Sequence, residues 1–120
     1  MNFKNKFLFN DRLSESQRIS IKYPDRIPII CERSFTAGKD CPIIDKNKYL
    51  VPHDFTIGQF LFIIRKRMKL PPEKAIFLFI NDKIHNTSRL LSNISETDKD
   101  IDGFLYITYA SENTFGKKTY

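Results

Sequence analysis

The strongest structural signal in the chain is the stretch TIGQFLFIIRKRMKLPP, residues 56–72. Thr56 is a favourable N-cap and the two prolines stop a helix, so the stretch predicts a helix over residues 57–69. At 100° per residue, one apolar face of this helix should contact the core. That face consists of Ile57, Leu61, Ile64 and Met68.

A second stripe on the same helix runs beside the first and consists of Phe60, Ile63 and Arg67. One apolar stripe is enough to dock a helix on a sheet, and this second one ends in a cation. It could therefore line a partly open pocket, or it could simply widen the core face.

Apolar and β-branched runs before and after this helix predict four strands. The run at 75–80 is nearly continuous, as expected of a strand that is covered on both faces or lies inside a sheet. Pro28 cannot donate a ladder hydrogen bond, which favours a position near an edge for the first strand. The predicted strands span residues 26–33, 48–51, 75–80 and 104–109.

Polar segments with weaker helical patterns complete the order of elements. Residues 10–23 predict one or two short N-terminal helices that Pro24 ends, and residues 88–94 predict a short helical turn. The order is then a helical arm, two strands, the main helix, a strand, a short helix and a last strand. One main helix packed across a four-stranded sheet in this order is the ubiquitin-like β-grasp arrangement, an α+β fold.

Composition limits the classes of protein to consider. A chain of 120 residues with 41% hydrophobic content is sized for one domain with a packed core, which excludes disorder throughout. Its formal charge of +6 permits a nucleic acid, an anionic lipid or an acidic peptide as partner. Cys31 and Cys41 are too few for a disulfide scaffold, lie outside any metal-ligand spacing and suit a reducing cytosol. No apolar run approaches the ~20 residues needed to span a bilayer.

Several long motifs, in order along the chain, identify a family. They are KYPDRIP at 22–28, DKNKYLVP at 45–52, GQF at 58–60 with IRKR at 64–67, LPPEKAIF at 70–77, and DGFLY at 102–106 with ENTFG at 112–116. Together they resemble the GABARAP-type autophagy ubiquitin-like modifiers over nearly the whole chain. The resemblance implies a protein that is not an enzyme, with an N-terminal helical arm at residues 1–24, a ubiquitin-like β-grasp domain at 25–116 and a removable tail at 117–120.

By this resemblance, Gly116 is the residue at which the chain is processed and joined to a lipid. A cysteine protease would cleave between Gly116 and Lys117, and E1-like and E2-like enzymes would carry the chain as a thioester. Gly116 would then be amide-linked to phosphatidylethanolamine, with no other cofactor and no metal. Glycine suits this chemistry because a residue without a Cβ can thread a narrow active site as an extended strand. The chain would be cytoplasmic, and on the autophagosome membrane once lipidated.

The resemblance also implies a groove at the edge of the strand at 48–51, which binds short acidic motifs of autophagy receptors and adaptors. The pocket for the aromatic residue of the motif would be lined by Glu15, Ile19, Pro28, Ile30, Lys48, Leu50 and Phe104. The pocket for its aliphatic residue would be lined by Tyr49, Val51, Pro52, Phe55, Phe60, Ile63 and Arg67. The acidic residues of the motif would contact Lys46, Lys48 and Arg67. A second candidate site, for ubiquitin-interacting-type helices, consists of Ile76, Phe77, Leu78 and Phe79, which are also expected in a core strand.

The arm and one loop depart from the usual family pattern. Phe3, Phe7, Leu8 and Phe9 make the arm more apolar than in many relatives, so it could pack on the domain, self-associate or insert into lipid headgroups. The loop at residues 34–44 is longer than usual and could change contacts with partners.

Three other functions are open from the residues alone. A basic module for nucleic acid or another polyanion could use the cations at 65–69, but no aromatic stacking platform accompanies them, and no nucleic acid is expected as a partner. An adaptor that is never lipidated is the second alternative, against which Gly116 argues. An enzyme built on Cys31 or Cys41 would lack any Cys–His arrangement, and we expect a buried, inert Cys31 and an exposed Cys41.

Overall fold

The structure, a computed structural model, describes residues 2–38 and 40–111 of the chain. Within that part the chain forms four helices and four strands in the predicted order. The helices are α1 (Phe3–Lys6), α2 (Phe9–Lys22), α3 (Ile57–Met68) and α4 (Leu91–Asp98). The strands are β1 (Arg26–Arg33), β2 (Lys48–Pro52), β3 (Phe77–Phe79) and β4 (Leu105–Ala110).

The strands form one mixed sheet in the order β2-β1-β4-β3. β1 and β4 are parallel at the centre, and β2 and β3 pair antiparallel at the two ends. Because side chains alternate along a strand, the sheet has two apolar faces. Ile29 and Cys31 pack with α3 on one face, and Ile30 and Phe104 pack with Phe3 of the arm on the other. This arrangement confirms the predicted α+β, ubiquitin-like β-grasp fold with an N-terminal helical arm.

A capping box fixes the start of α3. The Thr56 hydroxyl accepts from the Gln59 amide at 3.1 Å, and the Gln59 side chain accepts from the Thr56 amide at 2.8 Å. The helix ends at Met68, one residue before its predicted end, because Lys69 takes a left-handed φ of 57° as its C-cap.

The two stripes of α3 are less distinct in the structure than in the sequence. Ile57 and Ile64 are buried as predicted, whereas Leu61 and Met68 of the same stripe are only half-buried. Phe60, from the second stripe, is completely buried. Phe60 is therefore part of the wider core face, whereas Ile63 and Arg67 of the same stripe are accessible.

Two elements after α3 differ from their predictions. Within the run at 75–80 only Phe77–Phe79 pairs as a strand, and β3 lies at an end of the sheet rather than inside it. The run is apolar because most of its side chains are buried, which does not require a strand on each side. The short helix predicted at 88–94 begins later, at Leu91, and continues to Asp98.

Candidate functional site

One edge of the sheet is open to an added strand along β2. Among the described residues β2 pairs only with β1, and the Cys31 amide donates to the Asn47 carbonyl at 2.7 Å beside this pairing. Because hydrogen-bonded pairs alternate in an antiparallel ladder, the backbone groups of Lys48 and Leu50 point away from β1. Pro28 lies opposite Leu50, where β1 and β2 exchange no hydrogen bond, so its missing N–H does not weaken this ladder.

On the arm side of the sheet, α2 and β2 form the walls of the predicted aromatic pocket. Glu15 and Ile19 lie one turn apart on α2. The Glu15 carboxylate pairs with the Lys48 ammonium of β2, and both side chains are partly exposed. Leu50 follows Lys48 on the same side of the strand and is half-buried.

The base of the aromatic pocket is apolar and closed. Ile30 and Phe104 are completely buried, Pro28 is buried beside them, and Ile19 packs against the same cluster. Phe3 of the arm belongs to this cluster too, with its ring 5.4 Å from that of Phe104 in an edge-to-face contact. The seven predicted lining residues therefore lie on α2, β1 and β2 and, for Phe104, immediately before β4. Phe3, which the sequence did not assign to the pocket, lies beside them.

The predicted aliphatic pocket lies on the other side of β2, against α3. Its floor is buried: Tyr49, Val51 and Phe60 belong to the main core, and the rings of Tyr49 and Phe60 meet edge to face at 5.4 Å. The Tyr49 hydroxyl donates to the Lys46 carbonyl at 2.7 Å, and burial raises the pKa of Tyr49 to about 12. The phenol thus stays neutral at physiological pH.

The rim of the aliphatic pocket is accessible. Phe55 and Ile63 are half-buried and pack on the main core, and Arg67 is exposed. Pro52 is also half-buried, but it follows Leu50 by two positions, so alternation along β2 places it on the arm side. An open depression borders this rim and is lined by Phe55, Thr56, Gly58, Gln59, Phe62 and Ile63. An aliphatic side chain can therefore reach the rim directly, whereas Phe60 is reached only through it.

Two of the three predicted basic contacts already hold internal carboxylates. Lys48 pairs with Glu15, and Arg67 donates to one oxygen of Asp45 at 3.0 and 3.2 Å. Lys46 is exposed, with its ammonium 5.3 Å from the centre of the Tyr49 ring. Such exposed pairs are weak, so an acidic ligand can exchange with the internal carboxylates at little cost.

Burial narrows the second candidate site on β3. Ile76, Leu78 and Phe79 are buried, and Phe77 alone of the four predicted residues is half-buried. A helix that docks here would therefore meet Phe77 and not the other three side chains.

The expected exposure of Cys41 is wrong. Cys31 and Cys41 are both buried, and burial raises the pKa of Cys31. Arg33 donates to the carbonyls of Cys41 and Gly38 at 2.9 and 3.1 Å, which folds the 34–44 loop back onto the sheet. In the described part of the chain, no cluster of three or more His, Cys, Asp or Glu residues is placed to hold a metal ion.

A buried polar cluster joins the arm to β4, and sequence reasoning missed it. Arg12 donates to the Asp102 carboxylate at 2.9 Å, Tyr106 donates to it at 2.5 Å, and the Ser16 hydroxyl donates to the Asp102 carbonyl at 2.5 Å. The only signal in the sequence was the DGFLY motif that contains Asp102 and Tyr106. The residues around Arg12 do not indicate that it is buried, because a cation on a polar helix is usually exposed.

A family model described as "Autophagy protein Atg8 ubiquitin like" matches residues 11–116, which include the whole sheet, α3, and most of α2. The chain belongs to the Atg8 ubiquitin-like family of autophagy proteins. The family resemblance drawn from the motifs is confirmed, and with it the general function, that of a ubiquitin-like autophagy protein. The Atg8 family is one of ubiquitin-like modifiers.

Individual Atg8 relatives are similar over almost their full length. Autophagy-related protein 8 of Schizosaccharomyces pombe is 59% identical over 114 residues, or 95% of this chain and 93% of that protein. Autophagy-related protein 8 of Mycosarcoma maydis is 56% identical over 115 residues, or 96% of each chain. The crystal structure of Trypanosoma brucei ATG8 matches with a TM-score of 0.85 and 38% identity, over 92% of this chain and 93% of that one.

The predicted lipid-attachment residue of this Atg8-family chain, Gly116, lies outside the described residues, as does Lys117. None of the helices in the described ranges is both long enough and apolar enough to cross a membrane.

Proposed function

We propose that the chain is conjugated to phosphatidylethanolamine through Gly116. A cysteine protease first cleaves between Gly116 and Lys117, and E1-like and E2-like enzymes then activate and transfer the new carboxyl terminus. Two observations support the site: the family match ends at residue 116, and a residue without a Cβ passes narrow active sites most easily. The chain is thus a substrate of other enzymes and not a catalyst, cytoplasmic before conjugation and on autophagosomal membranes after it.

We further propose that the edge of β2 recruits autophagy receptors and adaptors that carry acidic motifs of the form aromatic-x-x-aliphatic. The observation that supports this proposal is that residues predicted for the two pockets belong to apolar clusters on opposite faces of the sheet, Tyr49 and Val51 on one and Ile30 and Phe104 on the other. Side chains on an added strand alternate, so residues an odd number of positions apart point to opposite faces. A separation of three positions therefore delivers the aromatic residue to the arm side and the aliphatic residue to the α3 side.

The backbone and the charges of the edge fit the same ligand. The free N–H and C=O groups of Lys48 and Leu50 pair with the added strand and set its register. Lys46, Lys48 and Arg67 lie around the groove and favour acidic residues next to the aromatic one, which raises the rate of association and the specificity.

Binding of a motif peptide tests the groove. We expect Lys48→Glu combined with Leu50→Ala to raise the dissociation constant by roughly tenfold or more, because both residues line the aromatic pocket. Lys83→Glu is the matched charge control, since Lys83 is exposed in the turn after β3, at the other end of the sheet. Isothermal titration calorimetry gives both constants. An unchanged constant for the double variant would place the groove elsewhere.

Salt dependence separates this groove from a polyanion-binding surface. Binding to a nucleic acid falls steeply with salt because counterions are released, whereas binding anchored in two apolar pockets falls much less. A steep loss of peptide binding between low and physiological salt would favour the polyanion alternative.

Processing and conjugation are tested at Gly116. Mass spectrometry of chain incubated with the family's processing protease should show a product that ends at Gly116, and an intact Tyr120 terminus would contradict the processing step. In the native cell, Gly116→Ala should abolish membrane puncta, while Thr119→Ala, in the discarded tail, should leave them unchanged. Puncta that persist in Gly116→Ala would support an adaptor that is never lipidated.

A further inference from the structure

Phe3 of the arm lies against residues that are predicted to line the aromatic pocket. Its side chain is 3% exposed and forms one apolar cluster with Ile30 and Phe104, against which Ile19 packs. The Lys48 ammonium lies 5.5 Å from the centre of the Phe3 ring. Four of the residues assigned above to the aromatic pocket thus already surround an aromatic side chain that belongs to the chain itself.

Polar contacts hold the backbone of α1 over the sheet. The Phe3 amide donates to the Glu32 carboxylate at 2.7 Å. Lys4 pairs with Asp100 at 2.5 Å, and its ammonium lies 4.6 Å from the centre of the Tyr106 ring. Arg12 donates to the carbonyls of Lys4 and Phe7, at 3.2 and 2.6 Å, where α1 leads into α2. The aromatic side chain is therefore presented to the pocket by a fixed segment.

The contacts of α1 are nevertheless few enough for it to detach from the sheet. α1 has four residues, too few for a helix that is stable alone. Lys4 and Asp100 are partly exposed, so their ion pair favours the attached position of α1 by no more than several-fold. Phe7 and Leu8, on the following turn, are exposed. Phe3 is the one deeply buried side chain of α1. Segments held by so few buried contacts open at low free energy.

We propose that Phe3 is an internal ligand of the aromatic pocket, and that the aromatic residue of a bound motif must displace it. This inference rests on the proposed peptide groove and adds its regulation. A motif competes well when its aromatic group is larger than phenyl and its acidic residues take Lys48 from Glu15. The measured affinity is lowered by the fraction of chains whose pocket is closed.

The dissociation constant of one synthetic peptide tests the displacement in the full chain. The peptide carries three acidic residues followed by tryptophan, two polar residues and leucine. Phe3→Ala empties the pocket and should tighten binding roughly tenfold, the gain expected if about one pocket in ten is open. Leu8→Ala is the control, because Leu8 lies on the same arm and is 76% exposed, and it should not change binding. Weaker or unchanged binding by Phe3→Ala would show that Phe3 is a wall of the pocket and would overturn the proposal.

Lys4→Ala gives an independent test that leaves the pocket lining intact. It removes the ion pair with Asp100 and loosens α1, so it should also tighten binding by several-fold. If Phe3 has only a structural role, Lys4→Ala should not increase the affinity for the peptide. The absence of a gain would therefore contradict displacement even if Phe3→Ala failed to fold.

Fluorescence reports the movement of the side chain itself. The chain contains no tryptophan, so Phe3→Trp places one indole in the pocket against a dark background. A peptide with phenylalanine in place of its tryptophan should shift the indole emission from blue towards the red of an exposed indole as binding saturates. Emission that stays blue at saturation would overturn the proposal.

These experiments separate failure of the displacement from failure of the groove. If the peptide binds neither the unmodified chain nor the variants, the groove itself is wrong and the displacement with it. If the peptide binds all of them equally and the indole emission does not move, the groove stands and Phe3 does not compete.

Discussion

The guanidinium of Arg12 in α2 donates a 2.9 Å hydrogen bond to the buried carboxylate of Asp102, from which it is separated by 90 positions in the sequence. Asp102 also accepts from the Phe104 amide at 2.9 Å and from the Tyr106 hydroxyl at 2.5 Å. The hydrogen bond to Asp102 raises the pKa of Arg12, while burial and the same carboxylate raise the pKa of Tyr106. Because its partners satisfy this buried charge, the cluster fixes α2 against the start of β4, where the aromatic pocket has its base.

Gly103 lets the arm approach the chain before β4 closely, and we expect a larger residue at this position to destabilise the fold. Gly103 has a φ of 93°, and a Cβ there would lie 2.9 Å from the Cβ of Ser16 and would collide with the Ser16 hydroxyl. We expect Gly103→Ala to lower the free energy of unfolding by roughly 1–3 kcal/mol, from backbone strain and overpacking. Denaturant unfolding measures the change.

A double-mutant cycle separates the collision from the strain. Ser16→Gly removes both clashing atoms, so Gly103→Ala should cost less in that background, and only the backbone strain should remain. Equal costs in the two backgrounds would show that the Ser16 contact is not the cause.

Phe60 and Ile63 should behave differently although both lie on the predicted pocket stripe. Phe60 is completely buried, so Phe60→Ala should lower the free energy of unfolding by about 3–5 kcal/mol. Ile63 is half-buried, so Ile63→Ala should cost roughly 1–2 kcal/mol and act mainly on peptide binding. Thermal or denaturant unfolding distinguishes them, and similar losses of stability would contradict the assignment of Phe60 to the core and Ile63 to the rim.

Both thiols should be protected in the folded chain. Cys31 and Cys41 are buried, and burial raises the pKa of Cys31, which leaves less reactive thiolate. At mildly alkaline pH, a disulfide reagent that releases a coloured thiolate should therefore react slowly with the native chain and rapidly once it is unfolded. Asn93→Cys, on the exposed side of α4, should add one fast-reacting thiol. If the native chain without that substitution reacts fast, then at least one of the two native thiols is not buried.

Acid should weaken the attachment of α1 through Asp100. Burial alone would raise the pKa of Asp100, but hydrogen bonds from the Lys4 ammonium and the Asp102 amide outweigh it and lower that pKa below its usual value. A carboxyl with a lowered pKa in the folded state stabilises the fold above its unfolded pKa, about 3.9, and loses this contribution as the pH falls through the folded pKa.

Asp100→Asn should reveal this pH dependence. The variant should unfold at a lower temperature than the unmodified chain at pH 7, and the difference should shrink as the pH falls through the lowered folded pKa, below which the carboxyl is protonated in both states. Asp82→Asn, in an exposed turn, serves as control. A difference that stays constant across this range would mean that the Asp100 charge does not hold α1.

The elements that sequence predicts well are those with local causes. The start of α3 follows from Thr56 as N-cap and β1 from one β-branched run, so both were placed within a residue. Burial of Phe60 and Cys41 depended on neighbours distant in sequence, which periodicity does not report. For Cys41, for example, the adjacent Pro42 carbonyl accepts a 2.8 Å hydrogen bond from the hydroxyl of Tyr109 in β4.

The sequence predicted the edge strand of the candidate site, but not that Phe3 lies against the aromatic pocket. The short strand bounded by Pro52 indicated an edge, and β2 is one. The family resemblance supplied the pocket residues. Phe3 carried no local signal for the pocket, because an apolar arm is equally compatible with self-association or with lipid, and only the tertiary structure places it against Phe104.

Peptide spacing tests most directly whether the two pockets on opposite sides of β2 bind one added strand. Two peptides of the same composition would be titrated into the full chain. In one the aliphatic residue follows the aromatic residue by three positions, with two residues between them, and in the other it follows by four positions, with three residues between them. The odd separation should bind roughly tenfold or more tightly than the even one, because an even separation turns both side chains to the same face. Equal dissociation constants for the two peptides would contradict strand addition at β2.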